Sequence, residues 1–136
     1  MLRQTILRPG LPLEAARFDG DDEPTTVHYA AFLKGQCVGC ATFWAQAHDG
    51  RPARQLRGMA TATDRQRHGI GTCLLAFALA DLSVGTAGSL FWCNARVSAT
   101  GFYERQGWRI IRGPFHIPSV GPHYLMTYAH PKAAQL

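Results

Sequence analysis

Lysine is scarce in this basic chain of 136 residues, which has a formal net charge of +5. Only Lys34 and Lys132 are lysines, so arginine supplies nearly all of the positive charge. The arginines are scattered, and no block of about five or six like charges forms a nucleic-acid-binding arm. Because a basic balance also suits a phosphorylated ligand, we expect a phosphorylated cofactor and no nucleic acid as a partner.

Long apolar stretches are also missing. The longest, at residues 73–80, is far too short to span a bilayer, which takes about 20 apolar residues. Residues 1–5 lack the apolar run of a secretory signal peptide. We therefore expect a cytoplasmic protein without a membrane partner.

Cysteine occurs four times, and one pair has a metal-ligand spacing. Cys37 and Cys40 form a CxxC pair, but no second pair exists to complete a zinc site. We also place both in one strand, where residues three apart face opposite sides of a sheet. We therefore expect reduced core thiols, no metal, and no cysteine that carries a covalent intermediate.

The length and an ordinary composition, 46% hydrophobic and 17% charged, predict one domain over residues 1–136. Proline, glycine and acidic residues crowd residues 9–26, which we interpret as a long loop. After it, alternating and apolar runs between turn residues predict strands and helices. The predicted strands are Val27–Leu33, Gln36–Ala45, Arg54–Thr61 and residues 89–93, 108–116 and 123–128, and the predicted helices are residues 72–82 and 96–106.

A glycine-containing loop, Gln66-Arg67-His68-Gly69-Ile70-Gly71, lies between the third predicted strand and the first predicted helix. The N–H groups of a first helical turn lack intrahelical partners, and the helix dipole adds partial positive charge, so such a loop can bind phosphate. Glycine has no Cβ, so an anion can approach the main chain closely. A plain turn is an equally good interpretation of these six residues taken alone.

Two widespread phosphate motifs do not match this loop. The dinucleotide fingerprint requires a third glycine where Leu74 stands, and the P-loop requires a lysine between Gly71 and Thr72. The Gln-x-x-Gly-x-Gly pattern instead resembles the acyl-coenzyme A loop of the GNAT (Gcn5-related N-acetyltransferase) superfamily. A second block resembles the fifth strand and fourth helix of many members, namely Asn94-Ala95-Arg96, Phe102-Tyr103 and Gly107-Trp108.

The resemblance spans nearly the whole chain and implies an α/β fold of the α+β type. It implies a mixed, mostly antiparallel central sheet with helices on both faces, in which one parallel strand pair splays apart around the pantetheine arm. Members usually begin with a strand and a helix or two before the equivalent of Arg8, and almost nothing precedes Arg8 here. The first strand is missing by this comparison, so we expect an exposed sheet edge and self-association as a homodimer.

The resemblance also implies which residues bind acetyl-CoA. The main chain of Met59, Ala60 and Thr61 is expected to bind the pantetheine amides, and Asn94 to contact the pantetheine arm. Asn94 could also cap the helix that follows it. The pyrophosphate is expected on the glycine loop and first helical turn, at Gln66, Arg67, His68, Gly69, Ile70, Gly71 and Thr72.

Tyr103 is the candidate general acid, because a phenol at the sulfur can protonate the thiolate that acyl transfer expels. The other interpretation makes Phe102 and Tyr103 an aromatic core pair. An amine acceptor must lose a proton before it attacks, and His28, His116 and His123 are the candidate bases. We rank His123 first because it lies near the acceptor channel of the family, although a histidine in a strand is more often structural.

The sequence therefore predicts a GNAT enzyme that moves an acetyl group from acetyl-CoA to an amine of a small molecule or peptide. The transfer is expected to proceed by direct attack in a ternary complex. The alternative is a non-catalytic acyl-CoA-binding or regulatory module with the same fold. A basic nucleic-acid-binding domain is a third and weaker interpretation.

Overall fold

A mixed sheet forms the centre of the computed structural model, which describes residues 21–62, 66, 69–83 and 90–129. Among these residues the elements are β1 (Val27–Leu33), β2 (Gln36–Ala45), β3 (Arg54–Thr61), α1 (Ile70–Leu82), β4 (Leu90–Arg96), α2 (Thr100–Arg105), β5 (Arg109–Ile117) and β6 (Gly121–Ala129). The strand order is β1-β2-β3-β4-β6-β5. Strands β3 and β4 are parallel, and the other neighbouring pairs are antiparallel.

Local sequence signals account for the first part of this sheet. Lys34 and Gly35 adopt positive φ values of 51° and 79° and connect β1 to β2 as a two-residue hairpin. Strands β1, β2 and β3 have the bounds predicted from the sequence. The α1 crossover between β3 and β4 allows those strands to pair in parallel. The mixed sheet with one parallel pair confirms the predicted fold class.

Helix α1 packs one apolar side on the sheet. Gly39 of β2 permits close approach, because an added Cβ would lie 3.2 Å from Ile70 Cγ2. Tyr29 Oη donates a hydrogen bond to Asp81 Oδ2 at 2.6 Å and ties the end of α1 to β1. The buried residues of α1 follow the spacing of one helical face: Leu74, Leu75, Ala78, Leu79 and Leu82.

Helix α2 belongs to the same hydrophobic core as α1. Tyr103 of α2 and Trp108 just after it pack in one cluster with Leu75 of α1 and Met126 of β6. Both described helices therefore contribute to one core. The resemblance also implies helices on the opposite face, and the described residues do not test that part of the prediction.

Strands β3 and β4 pair over a short distance and then diverge. Their ladder runs from the Arg54–Phe91 pair to the Leu56–Cys93 pair and ends there. Beyond that point, β3 continues beside β2 and β4 continues beside β6. A bulge at Gly58, with φ 62°, interrupts the β2–β3 register just after the ladder ends. The splayed parallel pair implied by the resemblance is present.

The segment after Asn94 differs from the predicted helix over residues 96–106. Strand β4 runs on to Arg96, whose φ of −58° and ψ of 144° are extended, and a 3-10 turn (Val97–Ala99) precedes α2 at Thr100. The antiparallel partner β6 extends β4, since it pairs Asn94 with Leu125. Asn94 is therefore a strand residue and not a helix cap.

The described sheet has β1 and β5 as its two edge strands. Strand β1 pairs with β2 along its length and has no second strand partner within the described part of the chain. The missing first strand that the resemblance implied concerns the chain before residue 21, which lies outside the described residues. Over the same described ranges, no helix is long and apolar enough to cross a membrane.

Candidate active site

A groove opens where the end of β3 meets the starts of α1 and α2. It brings together most of the residues that the sequence predicted for coenzyme binding. The side chain of Ile70 turns away from it and packs against Gly39, and Arg67 and His68 lie outside the described residues. The lining residues are Met59, Ala60, Thr61, Gln66, Gly69, Gly71, Thr72, Arg96, Ser98, Ala99, Phe102, Tyr103 and Arg105.

We call this groove the donor groove, because the resemblance places the acetyl donor in it. The start of α1 gives the groove an end that can accept an anion. Gly69 is the N-cap of this 13-residue helix, with φ 80°, and the first turn contains no acidic residue. The dipole of α1 and its first N–H groups therefore favour negative charge there. Gly71 packs α1 against α2, since an added Cβ would lie 3.4 Å from Phe102 Cζ. Thr72 Oγ1 accepts a hydrogen bond from Gln106 Nε2 at 3.3 Å across the same helix pair.

A second cavity, here called the acceptor pocket, lies between the diverging parts of β3 and β4. It shares Met59, Arg96, Ala99 and Tyr103 with the donor groove. The two cavities therefore meet beside Tyr103. The acceptor pocket is lined by Gln55, Leu56, Arg57, Gly58, Met59, Cys93, Asn94, Ala95, Arg96, Ala99, Tyr103, Ile117, Val120 and His123.

Tyr103 is both a packed aromatic residue and a polar group at this junction. Its ring makes edge contacts with Phe102 and Trp108 at centroid distances of 5.2 Å and 5.4 Å. Its hydroxyl group donates to Met59 Sδ at 3.7 Å. Burial raises the pKa of Tyr103 well above its usual value of 10. The hydroxyl group therefore keeps its proton at neutral pH and is available as a donor.

His123 is the one member of the three candidate bases that lines the acceptor pocket. Its side chain is 4% exposed, and its ring stacks on Phe115 at 6.3 Å. Nδ1 lies 2.7 Å from Gly121 O. Because a carbonyl oxygen can only accept, Nδ1 carries the hydrogen, and the lone pair of the neutral ring is on Nε2.

The other two candidate histidines lie away from both cavities. His28 uses both ring nitrogens: Nε2 donates to Asp21 O at 3.0 Å, and Nδ1 accepts from Thr42 Oγ1 at 2.8 Å. This bonding pattern makes His28 a structural residue of β1. His116 lies on the edge strand β5, where it is exposed and pairs with Pro122.

Several lining residues were not predicted from the sequence. Gln55 and Arg57 alternate along β3, and Arg96 ends β4, so three polar side chains border the splay. The alternation of polar residues just before Gly58 was the available signal. Asn94, predicted at the pantetheine arm, is exposed and lines the acceptor pocket, not the donor groove. Among the residues that the structure describes, no group of three or more His, Cys, Asp and Glu side chains could hold a metal ion.

A groove that ends on a helix N-terminus and adjoins a second cavity beside Tyr103 can bind two ligands next to each other. The comparisons assign the family. The model of the GNAT acetyltransferase domain matches residues 24–110. The chain belongs to the GNAT acetyltransferase family and is an N-acetyltransferase of that family, as the resemblance predicted.

Relatives and solved structures agree with this assignment. "Uncharacterized N-acetyltransferase YitI" of Bacillus subtilis (strain 168) is 31% identical over 128 residues, which cover 92% of this chain and 85% of the relative. The crystal structure of Escherichia coli ElaA has a TM-score of 0.76 at 17% identity and covers 93% of this chain and 84% of its own. An aminoglycoside 6'-N-acetyltransferase complexed with coenzyme A has a TM-score of 0.66 at 17% identity, covering 79% and 74%. These two structures share the fold.

Proposed function

We propose that this protein transfers an acetyl group from acetyl-CoA to an amine of a small molecule or peptide by direct attack in a ternary complex. The observation that carries the proposal is the meeting of the donor groove and the acceptor pocket at Tyr103. Two cavities that share a wall allow both substrates to bind at once, which holds the reacting atoms together in one step.

The divergence of the parallel strands supports a pantetheine site on β3. After Leu56, the side of β3 that faced β4 borders the cavity instead of a neighbouring strand. Main-chain groups of Met59, Ala60 and Thr61 can then bond the pantetheine amides. The start of α1, at Gly69, Gly71 and Thr72, and the side chain of Gln66 would hold the pyrophosphate. Roles for Arg67 and His68 remain predictions from the sequence.

The protonation state of Cys93 favours direct attack of the amine on the thioester over a covalent intermediate. Cys93 is the described cysteine that lines the acceptor pocket, and its side chain is 2% exposed. Burial raises the pKa of Cys93 far above its usual range. Since the thiolate is the nucleophilic form of cysteine, a covalent acyl-cysteine intermediate is disfavoured at neutral pH.

The proton transfers in this scheme use two residues that line the acceptor pocket, His123 and Tyr103. Nε2 of His123 takes a proton from the amine, directly or through a water molecule, as the amine nitrogen attacks the acyl carbon. The C–S bond then breaks as the carbonyl group re-forms, and the hydroxyl group of Tyr103 protonates the departing sulfur. His123 afterwards releases its proton to water and Tyr103 regains one from water, so both residues return to their starting states. A base is needed because an amine with a lysine-like pKa is neutral at pH 7 only at a cost of about 4–5 kcal/mol.

A screen of amines, polyamines, amino acids and peptides with acetyl-CoA tests the proposal. We expect acceptor-dependent release of free thiol and a product whose mass increases by one acetyl group. Initial rates should give intersecting reciprocal plots, as a ternary complex requires, and not the parallel plots of a covalent intermediate. Coenzyme binding without acceptor-dependent thiol release would instead indicate the non-catalytic acyl-CoA-binding module.

A further inference from the structure

Among the residues that the structure describes, the charged side chains that line the acceptor pocket all have one sign. Arg57 and Arg96 carry the formal charges among its described lining residues, and none of those residues is Asp or Glu. The remaining side chains with polar nitrogen or oxygen atoms among the described lining residues are Gln55, Asn94, Tyr103 and His123. A cavity lined by cations in low-dielectric walls attracts anions and repels polycations.

We propose that the acceptor amine also bears an oxyanion, a carboxylate or a phosphate, and that Arg57 binds this group. The proposal rests on the function proposed above and adds a substrate class to it. Arg57 lines only one of the two cavities, the acceptor pocket, whereas Arg96 lines both. Arg57 is therefore the residue that distinguishes acceptors, and Arg96 is also within reach of the donor.

Contacts on β2 hold Arg57 at the pocket. Its Cζ lies 5.2 Å from the centroid of the Trp44 ring, within the range of a cation–π contact. Trp44 is held in turn, since Nε1 donates to Glu23 Oε2 at 2.8 Å. Arg57 is half-buried and lies opposite the buried Thr42 in the β2–β3 ladder. A positioned guanidinium group can bind an oxyanion through two parallel hydrogen bonds.

The position of Arg57 relative to the proposed site of acyl transfer, beside Tyr103, suits this role. Arg57 and Gln55 lie on β3, while Arg96 and His123 are paired across β4 and β6 on the other side of the splay. An acceptor between the strands could place its oxyanion at Arg57 and its amine towards the Tyr103 junction. Nearby cations also disfavour the protonated form of an amine, so the same charges promote the reactive neutral form.

The test compares matched acceptors that differ in charge. With acetyl-CoA saturating, kcat/KM is measured for amino acids and their carboxamides, for phosphoethanolamine and ethanolamine, and for spermidine and an aminoglycoside. We expect each acidic member to exceed its neutral counterpart by about tenfold or more, and the polycations to be the poorest acceptors. The two acidic series distinguish a carboxylate from a phosphate.

Variants of Arg57 assign the effect to this residue. In Arg57→Gln, the ratio of acidic to neutral kcat/KM should fall about tenfold through KM for the acidic acceptor. Arg57→Lys should give an intermediate ratio, because lysine keeps the positive charge but cannot form the two parallel hydrogen bonds. Arg109→Gln, at an exposed arginine of β5 outside both cavities, is the matched control. The inference would be overturned if amides or polycations were used as well as or better than the acidic acceptors. An unchanged ratio in Arg57→Gln would also overturn it. In both cases, release of free thiol would still support acyl transfer. Absence of thiol release with every acceptor would overturn both proposals.

Discussion

Adjacent aromatic residues take different positions at the junction of the two cavities. Phe102 lines the donor groove and limits the space beside Gly71. Tyr103 borders both cavities and extends its hydroxyl group towards Met59. The two interpretations of Tyr103, a core aromatic residue and a general acid, are therefore compatible, because the ring packs while the hydroxyl group reaches the site.

Replacement of Tyr103 by phenylalanine separates these two roles. A thiol with a pKa near 8.5 is already a fair leaving group at neutral pH, so proton donation should assist without being indispensable. We expect Tyr103→Phe to lower kcat about 10²-fold, with coenzyme affinity nearly unchanged and little change in the free energy of unfolding. Single-turnover kinetics and calorimetry measure these quantities. If most of the turnover remains, Tyr103 is a packing residue only.

Replacement of His123 by asparagine tests the base. The Asn amide can still donate to Gly121 O, but it offers no basic nitrogen. We expect kcat at pH 7 to fall about 10²-fold or more, and the deficit to shrink as the pH approaches the pKa of the acceptor amine. His116→Asn, on the exposed β5 strand, should leave the profile unchanged. A deficit in His123→Asn that is constant with pH would point to a structural role.

At the scale of single elements, α1 was predicted well, because the signals that start and end a helix are local. The helix begins at Ile70, two residues before the predicted start, since Gly69 adopts a left-handed N-cap conformation. The next helix was predicted four residues too early. Residues 96–99 continue from β4 into a 3-10 turn because β6 pairs with β4 as far as Arg96.

The anion site expected at the start of α1 can be tested by introducing one negative charge there. Gly69 and Gly50 have similar φ values, 80° and 75°, and an added Cβ would have nothing within 4 Å at either position. Gly69→Asp should therefore match Gly50→Asp in backbone strain but should place a negative charge where the pyrophosphate is expected. We expect coenzyme affinity to fall about tenfold to a hundredfold in Gly69→Asp alone, as measured by calorimetry. Equal affinity in the two variants would place the phosphate site elsewhere.

At the scale of the whole molecule, the β1 edge of the described sheet (residues 21–62, 66, 69–83 and 90–129) is the candidate surface for self-association. Phe32 of this strand is 68% exposed and lies in an apolar groove with Leu33 and Phe77. A strand edge with exposed apolar side chains can pair with a second copy.

A charged side chain on either edge tests this expectation. We expect a dimer at micromolar concentration by sedimentation, and Phe32→Lys should shift it towards the monomer. Ile111→Lys, at a residue 45% exposed on the opposite edge strand β5, should leave the dimer intact. A wild-type protein that sediments as a monomer would contradict the prediction.

Sequence alone determined the features that depend on neighbouring residues. The Lys34-Gly35 turn, the three strands of the meander, and the start of α1 after Gly69 follow from backbone preferences and periodicity over a few residues. The motifs around Gly69 and Tyr103 were enough to indicate the family and its donor. These signals are local, so the rest of the fold changes them little.

Only the tertiary structure decided which side chains share a cavity. The β3–β4 ladder ends after Leu56 because each strand then follows a different neighbour, and this choice depends on pairings distant in sequence. These long-range pairings make Asn94 a strand residue and bring Arg57, Arg96 and His123 to one pocket. They also leave His28 in hydrogen bonds with Asp21 and Thr42, away from that pocket. Periodicity describes the face of one element, whereas the acceptor pocket is formed where several elements stop pairing.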